Sequence, residues 1–238
     1  MSRIQHPSSA LISVFIKRLE RRYGRPEWQQ RLSPLEELVF TILSQNTTDA
    51  NAARSLAALK QKYPEWRQVA GGPPGSIAAA IRSGGLSRAK ARYIKGALQG
   101  IIKDKGDLSF DFLKKMSNQE AIAYLTSFTG VGVKTASCVL LFALGRPVMP
   151  VDTHVFRVSK KLGLLGAKAS RESAHRTLGA VVPSADVYSF HVNLVRHGRE
   201  VCKARRPLCC VCAVEPLCPS SACGMRILAF GMKNTKPV

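Results

Sequence analysis

Apolar residues recur at helical spacing over most of the chain. In the first segment Leu11, Phe15 and Leu19 lie four residues apart, as on one face of an amphipathic helix. The same spacing predicts further helices at residues 34–43, 49–62, 87–103, 117–128, 134–144, 153–164, 171–181 and 185–197. No segment alternates apolar and polar residues with a period of two between hairpin turns, so we expect little sheet. The predicted fold class is all-α.

Local signals set several helix ends. Ser33-Pro34-Leu35-Glu36 combines a capping serine, a proline at the first helical position and a glutamate three residues after the cap. Ser117 and Glu120 form a second capping box. Pro73-Pro74-Gly75 is typical of a turn. The residues after Cys218, 219–238, are polar and then weakly apolar, which predicts a loosely held tail.

Composition adds a strong charge bias. The 238 residues carry 36 Lys and Arg against 15 Asp and Glu, a formal charge of +21, and only 7% are aromatic. We therefore expect a mainly aliphatic core and a polyanionic partner, either nucleic acid or an anionic membrane. No apolar run approaches the roughly 20 residues that span a bilayer, and Lys17 and Arg18 interrupt any secretory signal early. A soluble, intracellular protein that faces nucleic acid is the expectation.

A glycine turn separates two of the predicted helices. Gly130-Val131-Gly132 allows left-handed backbone and close backbone approach, and the helix that follows presents unpaired amides to an anion. We expect the backbone at Gly130, Gly132 and Val133 to contact a nucleic-acid phosphate. An ordinary helix–turn–helix corner explains the string as well.

Lys134 lies in the first turn of that helix, where a cation is electrostatically unfavourable. Free lysine titrates near pH ~10.4, but a helix N-terminus and partial burial disfavour the ammonium form. Lys134 is therefore a candidate nucleophile, the alternative being a surface lysine that binds phosphate. Asp152, just before an apolar periodic segment, is by default a helix cap. Its carboxylate is also a candidate for stabilising positive charge that develops on a sugar.

Six of the seven cysteines crowd the C-terminal end, and Cys138 stands apart as an expected small core residue. In a reducing compartment we do not expect a disulfide framework. Four of the six follow the spacing C-x6-C-x2-C-x5-C, which is compatible with zinc or with a [4Fe–4S] cluster: Cys202, Cys209, Cys212 and Cys218. Cys210 adds a thiol beside this set. Between the first two lie cations that we expect to contact phosphate: Lys203, Arg205 and Arg206.

Together, Gly130-Val131-Gly132-x-Lys134 and Val151-Asp152-Thr153-His154 resemble the helix–hairpin–helix and Asp signature of the endonuclease III family. The resemblance extends from about Leu35 to Cys218. It implies a glycosylase that removes oxidised pyrimidines from duplex DNA, with Lys134 attacking the anomeric carbon and Asp152 assisting departure of the base. A Schiff base would then undergo β-elimination and break the strand. The resemblance also favours a [4Fe–4S] cluster on the four cysteines.

The resemblance further implies two helical lobes with DNA in a cleft between them. A six-helix barrel containing the hairpin would cover residues 28–146, and a cluster domain would combine 1–27 with 147–218. In the family, residues from two loops fill the gap left by an extruded base; here Gln45 and Asn46 match one loop and Leu86 the other. Asn46 stands where the family commonly has Gln, which leaves the preference for the opposite base undetermined.

Two rival functions remain at this point. A monofunctional glycosylase for mispaired adenine or thymine would keep the fold but would not need Lys134. A non-catalytic iron–sulfur DNA-binding protein would need neither Lys134 nor Asp152. We expect double-stranded DNA with damaged bases or abasic sites as the partner, no membrane and a monomer. The expected location is the cytoplasm with the nucleoid, or the nucleus or mitochondria in a eukaryote.

Overall fold

The structure, a computed structural model, describes residues 9–223, and in this range the chain is helical without a β-strand. The all-α prediction is confirmed for these residues. The helices are α1 (Ser9–Tyr23), α2 (Pro34–Leu43), α3 (Asp49–Lys62), α4 (Trp66–Gly71), α5 (Pro74–Ala80), α6 (Ser87–Lys105), α7 (Asn118–Thr126), α8 (Val133–Cys138), α9 (Thr153–Lys161), α10 (Arg171–Val181) and α11 (Val187–Glu200). None of these described helices is long and apolar enough to cross a membrane.

The described chain divides into two compact units. The hairpin unit comprises residues 28–150, and the cysteine unit joins residues 9–27 to 151–223. Assignment of the cysteine unit as an iron–sulfur domain, with the boundaries predicted above, stays a prediction. Of the predicted tail, residues 224–238 lie outside the described residues.

The hairpin unit is built on α2 and α6, whose apolar faces supply fully buried aliphatic side chains, among them Leu38, Ile42, Ile94 and Leu98. The predicted capping box of α2 is present. In it, Ser33 Oγ accepts the Glu36 amide at 3.3 Å, and the Glu36 carboxylate accepts the Ser33 amide at 3.3 Å. These caps satisfy amides that a helix start leaves unpaired, so α2 begins where the sequence indicates.

The predicted turn at Pro73-Pro74-Gly75 is wrong. Pro74 is the first residue of α5, and the amides of Ser76 and Ile77 donate to the Pro73 carbonyl at 3.0 and 3.1 Å. Proline is favoured at the first helical position because it lacks an amide that the helix would leave unpaired. The fully buried Ile77 then anchors this short helix in the core.

In the cysteine unit α11 packs against both α1 and α9. Helix α1 buries the predicted apolar face, including Phe15 and Leu19. Arg25, just after α1, forms ion pairs with Glu20 and Asp186 at 2.8 and 2.9 Å. The first and last parts of the described chain therefore fold as one unit.

A disulfide joins Cys210 to Cys223. The expectation that the cysteines form no disulfide is wrong for this pair. The prediction of a loosely held tail is likewise wrong for residues 219–223, because the bond ties them to the loop that carries Cys209 and Cys212. The remaining five cysteines are free thiols in the described chain.

Candidate active site and cysteine cavity

A helix–hairpin–helix lies at the centre of the hairpin unit, formed by α7, the turn at residues 127–132 and α8. Gly130 has a φ of +85°, and a side chain there would overlap the Tyr93 ring. The Val131 amide donates to the Phe128 carbonyl at 3.0 Å, which closes the turn. Gly132 caps α8 with extended backbone, a φ of −94°, so only the first glycine of the pair needs its conformational freedom.

Lys134 is the second residue of α8 and is half-buried, as the sequence predicts for the first turn. Gly132, before it, is exposed. The first amides of a helix have no intrahelical acceptor, and this end of the helix favours an anion. The predicted phosphate contacts of Gly130, Gly132 and Val133 and the nucleophilic role of Lys134 stay predictions.

One turn beyond Lys134 on α8 lies Cys138, whose thiol interacts electrostatically with the lysine side chain. Cys138 is 4% exposed, as expected of a core residue. Burial raises the pKa of this thiol, while the neighbouring Lys134 ammonium opposes the rise. The thiol is therefore held neutral beside the predicted nucleophile.

A buried carboxylate that the sequence analysis missed lies near Cys138. Glu37 is fully buried on α2 and accepts two hydrogen bonds from the Arg31 guanidinium at 2.7 and 2.9 Å. Thr41 Oγ1 donates a third at 3.1 Å. The helical pattern places Glu37 on a polar position of α2, and only packing brings Arg31 over it.

The two loops predicted to fill the gap left by an extruded base, one with Gln45 and Asn46 and the other with Leu86, differ in exposure. Gln45 is half-buried, and its amide nitrogen donates to the Gly130 carbonyl at 2.9 Å, which joins this loop to the hairpin. Asn46 is exposed with a φ of +52°. Leu86, in the other loop, is 60% exposed with a φ of +49°. The roles of these three residues on DNA stay predictions.

Asp152 belongs to the cysteine unit and is the N-cap of α9. Its Oδ1 accepts the Val155 amide at 2.7 Å, which confirms the capping role expected of an aspartate there. Asp152 is half-buried. The approach of Asp152 to Lys134 stays a prediction.

Cys202, Cys209, Cys212 and Cys218 line a single pocket in the cysteine unit. Cys202 follows α11, and the other three lie in the loops and 3₁₀ turns after it. His197 Nε2 lies 3.4 Å from the Cys212 sulfur, and its Nδ1 is 2.9 Å from the Tyr23 hydroxyl. Tyr23 of α1 and His197 of α11 thus hold the Cys212 side of the pocket in place.

The electrostatics of this cavity suit a cationic group. Burial raises the pKa of the Cys202 and Cys218 thiols and raises that of Cys212 to about 11. Repulsion among the thiolates adds to each of these shifts. Within residues 9–223, no three His, Cys, Asp or Glu side chains converge as ligands of a single metal ion.

Four cationic residues lie near Cys202, the first of the four cysteines: Arg157, Lys203, Arg205 and Arg206. Arg157 Nη2 donates to the carbonyls of Gly198 and Cys202 at 2.8 and 2.9 Å, so it fixes the backbone where the cysteine run begins. Lys203, Arg205 and Arg206 are exposed. Their side chains are accessible to a polyanion, and their predicted contact with phosphate stays a prediction.

Comparison with known families gives one match that covers most of the chain. The family model described as HhH-GPD superfamily base excision DNA repair protein matches residues 39–184. A protein of Arabidopsis thaliana, named provisionally as a DNA glycosylase, is 40% identical over 167 residues, 70% of this chain. The chain spans only 57% of the length of that plant relative.

Endonuclease III proteins resemble the chain over more of their length. Endonuclease III of Synechocystis is 37% identical over 190 residues, 79% of this chain and 82% of the relative. The solved structure of a trapped endonuclease III–DNA covalent intermediate has a TM-score of 0.77 at 29% identity. It covers 92% of this chain and 100% of its own.

Proposed function

The chain belongs to the HhH-GPD superfamily of base excision DNA repair proteins, and from this premise we propose that it is a bifunctional DNA glycosylase. It would remove oxidised pyrimidines from duplex DNA and break the strand at the abasic site. One observation carries this proposal: a half-buried lysine, Lys134, at the start of the helix that leaves the Gly130 turn. The similarity to an endonuclease III trapped covalently on DNA supports it.

In the proposed reaction the neutral amine of Lys134 attacks the anomeric carbon of the damaged nucleotide, and the base departs with its bonding electrons. Loss of the amine proton and opening of the sugar give an imine between lysine and sugar. The imine acidifies the neighbouring C2′ hydrogen, and its removal expels the 3′ phosphate, which breaks the strand. Burial raises the pKa of the neighbouring Cys138 thiol and keeps it neutral, so no thiolate pairs with the lysine at this end of the helix.

Asp152 is the proposed electrostatic partner in this reaction. A carboxylate stabilises positive charge that develops on the sugar as the base leaves, and such preorganised charge contributes strongly in a site that excludes water. Its hydrogen bond to the Val155 amide holds one carboxylate oxygen in place. The second oxygen would then face the sugar.

For the cysteine cavity we propose a [4Fe–4S] cluster held by Cys202, Cys209, Cys212 and Cys218. Four thiolates that share one cavity and repel one another fit a multinuclear cationic group. Zinc sites more often carry two C-x2-4-C pairs, and this run of cysteines has one C-x2-C pair, Cys209 and Cys212. When bound, the cluster would cross-link the loop that carries Lys203, Arg205 and Arg206, so that these cations meet the DNA backbone.

Borohydride trapping tests the reaction, because the hydride reduces the lysine–sugar imine to a stable amine. We expect wild-type protein to form a covalent adduct with a duplex that contains one thymine glycol, and Lys134→Ala to form none. Lys115→Ala, which removes an exposed lysine outside the proposed site, serves as the matched control and should trap like wild type. Circular dichroism checks that both variants keep their helix content.

The other outcomes separate the rival functions. Release of a mispaired adenine or thymine without an adduct would identify a monofunctional glycosylase. Tight duplex binding with neither base release nor adduct would identify a non-catalytic DNA-binding protein. Protein purified without oxygen should show the broad visible absorption of an iron–sulfur cluster, and Cys212→Ser should remove it.

A further inference from the structure

The hairpin unit buries a lysine whose ammonium donates to backbone carbonyls. Lys90, on α6, is 1% exposed, and its ammonium donates to two backbone carbonyls, those of Leu43 and Gly84, each at 2.7 Å. Burial lowers the pKa of this side chain. An apolar residue of similar length would fill the same space without the desolvation cost of a charge. The geometry therefore points to a need for the directed N–H groups.

The two carbonyls belong to the residues that lead into the two loops predicted to fill the gap left by an extruded base. Leu43 is the last residue of α2, and the loop with Gln45 and Asn46 follows it directly. Gly84 ends a 3₁₀ turn, and Leu86 comes two residues later. The Lys90 ammonium thus connects the starting points of two loops that are about 40 residues apart in the sequence.

Both loops carry a non-glycine residue in left-handed backbone: Asn46 at a φ of +52° and Leu86 at +49°. This conformation is unfavourable for leucine in particular, so surrounding structure must hold it. The junction at Gly84 is correspondingly tight, because a Cβ there would lie 2.8 Å from Ser55 Oγ and 3.8 Å from the Leu43 carbonyl. The buried Lys90 ammonium donates to the Leu43 and Gly84 carbonyls at this junction.

We propose that Lys90 is a positioning residue that holds the Asn46 loop and Leu86 in fixed register, so that both enter the base stack when a nucleotide is extruded. This inference rests on the proposed function, since it assigns the two loops to duplex DNA. It predicts that Lys90 matters for steps that need the stacked duplex. Cleavage of an abasic site in single-stranded DNA, which needs no gap to be filled, should not depend on it.

The test compares Lys90→Met with Lys95→Met. Lys95 lies on the same helix and donates to another carbonyl, that of Gly72, at 2.7 Å, and Gly72 belongs to neither loop. We expect Lys90→Met to slow excision of thymine glycol from a duplex by about 10- to 100-fold, the usual effect of a small misplacement. Its cleavage of a single-stranded abasic oligonucleotide should stay within about twofold of wild type, and Lys95→Met should match wild type in both assays.

A double variant separates positioning from general destabilisation. If Lys90 acts through Leu86, the Leu86→Ala, Lys90→Met double variant should excise no more slowly than the slower single variant. Multiplied losses in the double variant, equal losses on duplex and single-stranded substrates, or wild-type excision by Lys90→Met would each overturn the inference.

A readout without catalysis keeps this inference distinct from the proposed function. 2-Aminopurine placed opposite a stable abasic analogue brightens when a protein disturbs the stack. We expect wild type and Lys95→Met to raise its fluorescence, and Lys90→Met and Leu86→Ala to do so much less. If this pattern holds while wild type excises no base, the proposed function fails and the role of Lys90 stands. If wild type excises bases and Leu86→Ala dims the probe while Lys90→Met brightens it like wild type, the role of Lys90 fails alone.

Discussion

At the scale of single residues, Asp152 caps α9 and is proposed to supply a negative charge to the reaction. Replacing one carboxylate oxygen by an amide nitrogen, as in Asp152→Asn, separates these two roles. Asn is as good a helix cap as Asp, so Asp152→Asn should keep the hydrogen bond to the Val155 amide and the stability of α9. It removes the carboxylate charge. We therefore expect the thermal midpoint to be unchanged and base excision to fall on the order of 100-fold.

Asp152→Ala completes that comparison, because it removes both the cap and the charge. It should lose about 1 kcal/mol of stability in addition to activity. Single-turnover excision and thermal unfolding of the three proteins measure the two effects separately. Full activity in Asp152→Asn would leave Asp152 with its cap alone.

Residues differ in how far the sequence identifies them. Lys134 and Asp152 can be proposed from sequence because their chain neighbours define them: a glycine turn before one, an apolar helix after the other. Lys90 and Glu37 cannot, because a charged residue is assigned to the surface unless its partners in the fold are known. Their partners are the Leu43 and Gly84 carbonyls for Lys90 and the Arg31 guanidinium for Glu37, and they lie outside the helix turns next to each residue, so helical periodicity does not reveal them.

At the scale of elements, the helices that could be predicted were those with clear capping residues or a long run of periodic apolar residues. The bounds of α3 and α10 agree with those predicted, and α2 and α7 carry their predicted capping boxes. The short helices α4 and α5 were missed, because six or seven residues show too little periodicity and a Pro-Pro-Gly string is typical of turns. The Cys210–Cys223 disulfide could not be predicted either, since spacing alone does not fix pairing.

The hairpin glycines provide an element-scale prediction, because they look alike in sequence and differ in structure. Gly130→Ala would force a side chain into the Tyr93 ring at a φ of +85°, so it should cost about 3 kcal/mol of stability. Gly132 has open space around it and a φ of −94°, so Gly132→Ala should stay within about 0.5 kcal/mol of wild type. Denaturant unfolding measures both changes.

Binding then shows what the exposed Gly132 does. If a phosphate approaches the backbone there, a methyl group should weaken binding to an abasic duplex by about tenfold, roughly the loss of one hydrogen bond. Because Gly132→Ala should fold normally, that loss would not reflect misfolding. Unchanged affinity would remove Gly132 from the proposed DNA contacts.

At the scale of the whole molecule, charge sets the expected partner, and the +21 balance predicts an affinity that depends on salt. Each phosphate contact releases counterions, so the logarithm of the affinity for undamaged duplex should fall linearly with the logarithm of salt concentration, at about 0.9 per contact. Replacing the exposed Lys203, Arg205 and Arg206 by alanine should lower that slope by up to about three. An equal charge removal at Lys103, Lys114 and Lys115, exposed residues outside the hairpin and the proposed loops, is the control. Equal slopes for the two triple variants would mean that net charge, and not Lys203, Arg205 and Arg206 in particular, carries the phosphate contacts.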